Sequence, residues 1–521
     1  MTGLAARLGV LVLLACLAQA GPAGATVYYV DAANGRDETS GLSEREAWRS
    51  LARVSRADLR PGDQVLFRRG GIWRGRLTPP ASGAPGRPIV FGAYGQGDLP
   101  SLRGSDVLEA ASWQRVDDTT WYHGNVNQDP RFLVVDNRPV RRVPDMAGLR
   151  EPWDFHYDHA RKRVYLRSDR NPATAAKIVE APAREYVIRQ DRISHVIFRG
   201  LDFRHALRLT WLGWSGGDVT FEGCRLIQSG ENHLQFHEGF GPGVVRQCLF
   251  DDWNLNHVKS YAIQAIGKQS GPIDVEGCRF LATTPGGGDD HTAIMNDEDG
   301  WVRSVRRCSF EGGGRLKADG VVIWHPARKA SEVIIEDNVF EGIGGVAIII
   351  QELEFHGAAP RVVVRRNSIS GVCLNDDLDK EALRLRAFGS RSQVEVADNF
   401  IDGVKKGRHP HEGIGLTAAT GARVHNNTVR GAENGVSLRE VSKNVTIRAN
   451  LLLDNHGHGI KVGPGSTAEA AGNCLHGNKA GAVTGMGAAG NLVADPRLDK
   501  RQTPAVDGPC PGVGARLQPV R

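Results

Sequence analysis

The stretch SEVIIEDNVFEGIGGVAIII, residues 331 to 350, contains one complete unit of a pattern that repeats through most of the chain. Its core is an apolar residue at Ile335, a small or polar residue at Asn338 and an apolar residue at Phe340, followed by a glycine and a second apolar run. The same spacing occurs ten more times. The column of Asn338 reads Leu201, Cys224, Cys248, Cys278, Cys308, Asn338, Asn367, Asn399, Asn427, Asn450 and Asn473.

The spacing between column residues is 23 at its shortest and 28 to 32 between Cys248 and Asn427. A fixed period of this size is typical of a solenoid, here one of short strands and turns. The pattern resembles the right-handed parallel β-helix of the pectate-lyase-like superfamily, whose asparagine ladders line a bend between strands. The resemblance covers roughly residues 27 to 498 and implies an all-β rod with coils stacked about 4.8 Å apart.

Two segments depart from the repeat. Ser43 with Glu46 is typical of a capping box, and residues 44–57 carry one apolar face at helical spacing, which predicts an N-terminal capping helix. The register is lost over residues 112–185, where alternating runs predict a small antiparallel β insertion. In some β-helical glycoside hydrolases a similar insertion flanks the substrate groove; a structural flap is the alternative. We therefore divide the chain into 26–111 (cap and first coils), 112–185 (insertion), 186–498 (coils) and 499–521 (tail).

Residues 1–25 are typical of a secretory signal, with Arg7, an apolar run over residues 8–17 and small residues thereafter. Cleavage after Ala20 or after Ala25 is expected, and a lipoprotein box ending at Cys16 is the alternative. No other segment is long and apolar enough to cross a bilayer. We expect a secreted or periplasmic monomer, soluble or tethered by its N-terminus.

The formal charge of +6 is a modest excess that fits either a solvated surface or affinity for an acidic polymer. Nucleic acid is not an expected partner, since no basic stripe is interleaved with aromatic residues. Of eight cysteines, Cys16 lies in the predicted signal, and the odd number left argues against a complete disulfide framework. The four in the repeat column are expected to pack inside, and Cys474 with Cys510 could form a bridge that holds the tail.

Candidate acids precede the second strand of each coil. Aligning these strands forms a column that contains Asp319, Gly344, Glu381 and Glu412. Glu381 and Glu412 would lie on adjacent coils, near the spacing of retaining glycosidases, whereas Asp319 and Glu381 lie two coils apart, near the inverting spacing. Gly344 between them would leave room for a sugar. The alternative is that these acids cap turns.

Basic and aromatic residues lie in the same loops. Cleavage of a uronate by β-elimination needs a base and a cation that neutralises the carboxylate. Candidate bases and candidate substrate-binding residues are, respectively, Lys317, His291 and His411, and Arg384, Arg386, Lys259 and Trp324. Arg384 and Arg386 should point outward by strand alternation, and Trp324 could stack on a sugar. The alternatives are solvated side chains and ordinary packing.

Asp376, Asp377 and Asp379 supply hard oxygen ligands, so a Ca²⁺ site is a candidate here. No EF-hand or Cys/His zinc spacing occurs. Polysaccharide lyases of the superfamily often use Ca²⁺, but no family motif carries its ligands onto these positions.

We interpret the sequence as a carbohydrate-active enzyme that cleaves glycosidic bonds of a polysaccharide, with a preference for a lyase acting on an acidic, uronate-containing glycan. A glycoside hydrolase using two of Asp319, Glu381 and Glu412 is the alternative, and a binding or adhesin rod is a third possibility. Only the coils between Cys248 and Asn427 carry insertions, and loops on a rigid scaffold often hold function, so the site is expected there.

Overall fold

The computed structural model describes residues 24–268, 270–281, 291–312, 319–354, 357–374, 381–404, 411–499, 503–505 and 507–515. Three long parallel sheets run along the molecule, with 14, 13 and 12 strands, which we call sheets I, II and III. From Ile89 on, each coil passes through sheet I, then II, then III, and its strands pair with the equivalent strands of the next coil. This topology confirms the predicted parallel β-helix.

Sheet I consists of Val27–Val30, Gln64–Arg68, Ile89–Tyr94, Ser194–Arg199, Gly217–Glu222, Gly243–Arg246, Ile273–Glu276, Val302–Arg306, Glu332–Glu336, Arg361–Arg365, Gln393–Ala397, Arg423–His425, Val445–Arg448 and Ala468–Ala471. Sheet II consists of Ile72–Arg74, Ser101–Arg103, Asp202–Ala206, Arg225–Ser229, Leu249–Asp251, Arg279–Leu281, Ser309–Glu311, Val339–Glu341, Ser368–Ser370, Phe400–Asp402, Thr428–Arg430, Leu451–Leu453 and Cys474–His476. Sheet III consists of Tyr186–Asp191, Leu209–Trp214, Leu234–His237, Ser260–Ile266, His291–Asn296, Asp319–Trp324, Ile348–Gln351, Glu381–Phe388, Glu412–Ala419, Val436–Arg439, His458–Val462 and Gly481–Thr484.

An asparagine ladder fills the bend between sheets I and II. The side-chain amide of Asn399 donates to the carbonyl of Val364 and to Oδ1 of Asn427, both at 2.9 Å. Its own Oδ1 accepts from the backbone N–H and the amide of Asn367. The same arrangement runs from Asn338 to Asn473 and continues to Asn491, which the sequence pattern did not include. Each amide therefore satisfies buried backbone groups that the sheets leave unpaired.

Cysteines replace the asparagines in the earlier coils. Cys224, Cys248, Cys278 and Cys308 are buried and unbridged, as expected, and their thiols contact backbone carbonyls. Beside them Phe280 and Phe310, which lie on neighbouring coils, stack with their ring centres 4.7 Å apart. These coils are held by aromatic packing in place of amide hydrogen bonds.

The predicted helix over residues 44–57 is wrong as a single element. The structure has a 3₁₀ turn at Glu44–Glu46 and a short α-helix at Leu51–Val54. The backbone of Trp48 between them pairs with the first strand, accepting from Asp31 and donating to Tyr29, which removes it from a helix. Ser43 does cap Glu46, and Trp48, Leu51 and Val54 join the main core. The capping role of this segment stays a prediction.

The insertion forms two antiparallel sheets beside the rod. One contains Ser105–Val107, Leu133–Val135, Arg138–Val140 and Val179–Pro182, and the other Trp113–Arg115, Thr120–His123, Phe155–Asp158 and Arg163–Arg167. Two 3₁₀ turns, Ala110–Ser112 and Met146–Gly148, and the helix Pro172–Ala175 connect them. The carboxylate of Glu180 is fully buried and binds Arg74 at 2.5 Å and Arg103 at 2.8 Å, so a buried ion-pair network fixes the insertion to the first coils.

The tail is fixed to sheet II by the disulfide between Cys474 and Cys510, which confirms the suggested bridge. Leu451, Leu453 and both cysteines form a small apolar cluster there. The tail therefore packs on the outside of sheet II, away from sheet III.

His233 is fully buried, with its Nδ1 2.9 Å from the hydroxyl of Thr210 and its Nε2 3.1 Å from the carbonyl of Asp251. The carbonyl can only accept, so Nε2 carries the proton and donates, and Nδ1 accepts from Thr210. Burial lowers the pKa of His233 to about 3. The imidazole is therefore neutral in the folded protein.

Replacing Asn399 with leucine should lower the free energy of unfolding by roughly 1 to 3 kcal/mol, because the amide of Asn367 and the carbonyl of Val364 each lose a buried partner. Denaturant unfolding of the variant measures this change. Asn127, which is exposed, is the matched control, and its change to leucine should alter stability by less than about 0.5 kcal/mol. An unchanged stability for Asn399→Leu would contradict the structural role of the ladder.

The lowered pKa of His233 makes stability depend on pH. Between about pH 6.5 and pH 3 the unfolded chain binds a proton that folded His233 does not, so stability falls as pH falls through this window. In His233→Gln the dependence of Tm on pH over this window should be shallower than in the wild type. The exposed His159, changed to glutamine, should leave the slope unchanged. Equal slopes for wild type and His233→Gln would refute the assignment.

Candidate functional site

The candidate site lies on the outward side of sheet III, which we call the sheet III face. Along the strand Glu381–Phe388, Leu383 and Leu385 point into the core while Arg384 and Arg386 point outward. Pairing aligns one outward residue from each coil, in the order Met295, Val322, Ile349, Arg384, Gly415 and Ser437. The earlier coils thus present apolar side chains on this face, and the later coils present polar ones.

Glu412 is 1% exposed and begins the strand Glu412–Ala419. Its Oε2 accepts from the backbone N–H of Asn434 at 3.0 Å and from the side-chain amide of Asn434 at 2.9 Å. Its Oε1 accepts from Arg439 at 2.6 Å. Glu412 is therefore a buried carboxylate with strong hydrogen-bond partners on the next strand.

Glu381 is paired with Glu412 across the sheet and is 4% exposed. Its Oε2 accepts from Nε of Arg384 at 2.6 Å, and its Oε1 lies 3.9 Å from Nη1 of Arg439. A Cβ at Gly415 would lie 2.3 Å from Cγ of Glu381, so the glycine provides the space in which this side chain crosses to the next coil. Arg439 contacts both carboxylates.

We call Glu381, Arg384, Glu412, Asn434 and Arg439 the glutamate–arginine cluster. Two carboxylates and two guanidinium groups from three neighbouring strands lie together on one face. The pairing of Glu381 with Glu412 was expected from the sequence, whereas Arg439 was missed. Its only sequence signal is an outward position at the end of the strand Val436–Arg439. The expectation that both glutamates are loop residues is wrong, since each begins a strand and is buried.

Asp319 is two coils from Glu381, as aligned, but the residue between them is Val346 and not Gly344. The sequence alignment was shifted by two residues, because Ile348 rather than Val346 pairs with Val321 and Leu383. Oδ1 of Asp319 accepts from the backbone N–H of Val346 at 2.7 Å. No gap for a sugar separates Asp319 from Glu381, and the observed bond is the capping role that the sequence left open.

Most of the remaining sequence candidates lie away from the glutamate–arginine cluster or outside the described residues. Lys317 and the candidate Ca²⁺ ligands Asp376, Asp377 and Asp379 lie outside the described residues, as does the side chain of His291. His411, next to Glu412, is 2% exposed. Among the described residues, no group of three or more His, Cys, Asp or Glu side chains is placed to hold a metal ion. The calcium site stays a prediction.

Asp297, Trp324, His325 and Glu352 lie where three coils leave sheet III, and Lys259 precedes the strand Ser260–Ile266 of another coil; we call these five residues the Asp297 cluster. Nε2 of His325 lies 2.6 Å from Oε2 of Glu352, and Nζ of Lys259 lies 6.0 Å from the ring centre of Trp324. Lys259 and Trp324 were sequence candidates. Asp297, His325 and Glu352 were missed, because nothing in the repeat marks the first residue after the strand.

The family model described as "Right handed beta helix region" matches residues 320–495. The sequence has no match among curated proteins. Solved structures with a similar fold include XylC in complex with xylose, with 13% identity, 91% of this chain and 87% of that chain covered, and a TM-score of 0.45. Another is the PL6 family polysaccharide lyase Pedsa3628 from Pseudopedobacter saltans, with 13% identity, 90% and 98% covered, and a TM-score of 0.42. The GH136 lacto-N-biosidase from Eubacterium ramulus has 16% identity, 90% and 68% covered, and a TM-score of 0.37.

Replacing Glu412 with glutamine should reduce the free energy of unfolding by roughly 1 to 3 kcal/mol, because Arg439 and Asn434 lose a buried charged partner. Chemical denaturation measures the loss. Glu469, an exposed residue of sheet I that also pairs with an arginine, is the matched control; its change to glutamine should cost less than about 0.5 kcal/mol. Equal stabilities of the two variants would show that the cluster is not a buried ion-pair network.

Proposed function

We propose that this chain is a secreted or periplasmic enzyme that cleaves glycosidic bonds of a polysaccharide on the sheet III face, with an acidic, uronate-containing glycan as its substrate. The observation that carries the proposal is the glutamate–arginine cluster. Paired carboxylates are the groups that glycosidic cleavage uses, and guanidinium groups are the ones that recognise a sugar carboxylate.

Cations along the same face support the acidic substrate. Arg384 and Arg439 are about a quarter to a third exposed at their side chains, although both are engaged with carboxylates. Arg386, two residues along the strand from Arg384, is exposed, and Lys461 is an exposed outward residue two coils beyond Gly415. A negatively charged chain lying along the rod would meet these groups in succession. In a lyase they would neutralise the carboxylates of the bound uronate chain.

The second candidate is a glycoside hydrolase, which the pairing of Glu381 with Glu412 favours. Their backbones are one coil apart, about 4.8 Å, close to the roughly 5 to 5.5 Å between the carboxyl groups of retaining enzymes. In that reaction one glutamate would attack the sugar and the other would protonate the departing oxygen. A rod that binds glycan without cleaving it is the remaining alternative from the sequence.

Incubating the mature protein with a panel of acidic and neutral polysaccharides separates these candidates, with absorbance near 235 nm and reducing ends followed together. Our proposal predicts that both signals rise with an acidic glycan, because β-elimination creates a conjugated double bond at each new end. Reducing ends alone would establish the hydrolase, and binding without either signal would contradict cleavage.

Glu381→Gln and Glu469→Gln then locate the reaction. Glu381 accepts a charge-assisted bond from Arg384, so its change should lower kcat/KM by about tenfold to a hundredfold. Glu469 lies on sheet I, and its change should leave kcat/KM within about twofold. Equal activity of the two variants, with folding confirmed by Tm, would move the site off the sheet III face.

A further inference from the structure

On the sheet III face Asp297 is in register with Trp324, Gln351 and Arg386 of the next three coils, so it lies three coils before the strand of Glu381 and four before that of Glu412. Asp297 follows the strand His291–Asn296, and Asn296 pairs with Ile323. Asp297 is therefore beside Trp324, and the glutamate–arginine cluster begins about 14 Å farther along the rod. One glycan chain lying on this face would contact both clusters.

Asp297 is held firmly by its backbone. Its N–H donates to the carbonyl of Ala265, and its carbonyl accepts from the N–H of Gly300. The residue as a whole is 8% exposed. The amide of the preceding Asn296 donates to the carbonyl of Trp324 at 2.9 Å, and the N–H of Asp299 donates to the carbonyl of His325. These bonds join the two coils at the bend and fix Asp297 relative to Trp324 and His325.

The imidazole of His325 is fixed in turn. Its Nε2 lies 2.6 Å from Oε2 of Glu352 on the next coil, and its ring centre is 4.5 Å from that of Trp324. Lys259 is exposed, and its Nζ lies 6.0 Å from the ring centre of Trp324. The indole is half-buried and bordered by a cation, a shape that suits a sugar ring carrying a carboxylate.

The surroundings act in opposite directions on the two carboxyl groups. Burial, and after it the charge of Glu298, raises the pKa of Asp297, while Lys259 and His325 oppose this rise. The hydrogen bond from His325 lowers the pKa of Glu352, against desolvation and with help from Trp324 and Arg386. Two carboxyl groups on nearby coils whose pKa values are shifted in opposite directions are the arrangement expected of an acid and a fixed anion.

We propose that Asp297 is the proton donor of the enzyme proposed above, that His325 and Glu352 are its positioning residues, and that Trp324 with Lys259 binds the sugar at the cleaved bond. This assignment rests on the proposed function. It is the alternative to Glu381 and Glu412 as the reacting carboxylates: with Asp297 as the donor, the glutamate–arginine cluster binds the glycan farther along the face, and the polysaccharide-cleaving function is the same.

The proton balance is the same in its first part for both kinds of cleavage. The bond between the sugar carbon and the bridging oxygen breaks, the electron pair leaves with the oxygen, and the Asp297 carboxyl supplies the proton that neutralises it. The carboxylate left on Asp297 is stabilised by Lys259 and His325, and solvent returns its proton. In elimination, the sugar whose carbon–oxygen bond breaks loses its C5 proton to a base and gains a C4–C5 double bond. In hydrolysis, the sugar whose carbon–oxygen bond breaks gains the hydroxyl of water.

Kinetics of the full-length chain on the best glycan of the panel test the assignment. Asp297→Asn should lower kcat by about 10²- to 10⁴-fold with KM changed less than threefold, and Asp297→Glu should recover part of the loss. The wild-type kcat should fall as pH rises and Asp297 loses its proton, and this limb should be absent in Asp297→Asn. Glu352→Gln and His325→Gln should displace the limb along the pH axis.

Asp402 of sheet II, which is paired with Arg430, is the matched control, and Asp402→Asn should keep kcat within about twofold. A folded Asp297→Asn with kcat within threefold of the wild type would overturn the assignment while leaving the proposed function intact. A second measurement needs no substrate: in ¹³C NMR of Asp-labelled protein, one carboxyl signal should titrate above the others and vanish in Asp297→Asn. Absence of that signal would overturn the assignment even if no glycan in the panel were cleaved.

Discussion

The coils depend on the amide-to-amide hydrogen bonds in the bend between sheets I and II. In a bend buried between two sheets, backbone N–H and C=O groups can bond neither to water nor to a neighbouring strand. An asparagine amide has the same donors and acceptors as a peptide, so each one from Asn338 to Asn491 continues the backbone pairing through the bend. Because every coil is fixed at this point, the position of a residue within its coil determines which sheet, and which side of the sheet, it occupies.

The same stacking makes polar sites on this rod appear as columns. Glu381 and Glu412 are direct neighbours, and like charges in that position repel each other. Two guanidinium groups offset this repulsion: Arg384, on the same strand as Glu381, is bonded to it, and Arg439, on the strand after Glu412, is bonded to Glu412. Gly415 leaves the space that Glu381 occupies, since a side chain there would collide with it. A binding surface for an extended anionic chain follows from this arrangement, since the arginines that stabilise the acids also face the outside of the sheet.

Chemistry at the bend after sheet III has a different origin. The residue in register with His325 adopts a left-handed conformation in successive coils, with φ of 41° at Glu298, 46° at His325 and 53° at Glu352. Glycine adopts this conformation without cost, and later coils place alanine there, at Ala387 and Ala418. Titratable residues also occupy this position in other coils, at Glu238 and Glu440, with φ of 50° and 47°. Left-handed residues frequently coincide with function, and here Glu298 and His325 lie close to Asp297, whose pKa burial raises.

The sequence by itself determined the parallel β-helix, the asparagine ladder and the interior cysteines, because these depend on a repeat whose spacing fixes an apolar interior; it only suggested the tail disulfide, which the structure shows. It also paired Glu381 with Glu412, since both precede well-marked strands of adjacent coils. It misplaced Gly344 by two residues, because a run of Val and Ile from 346 to 350 offers several equivalent strand registers and only pairing with Val321 and Leu383 selects one. The helix after Glu44 was divided because tertiary pairing of Trp48 with the first strand outweighs local helical preference. Only the fold brings Arg439 to the glutamate–arginine cluster and joins Asp297, His325 and Glu352 in the Asp297 cluster. Contacts across coils join residues more than 20 positions apart that share no motif.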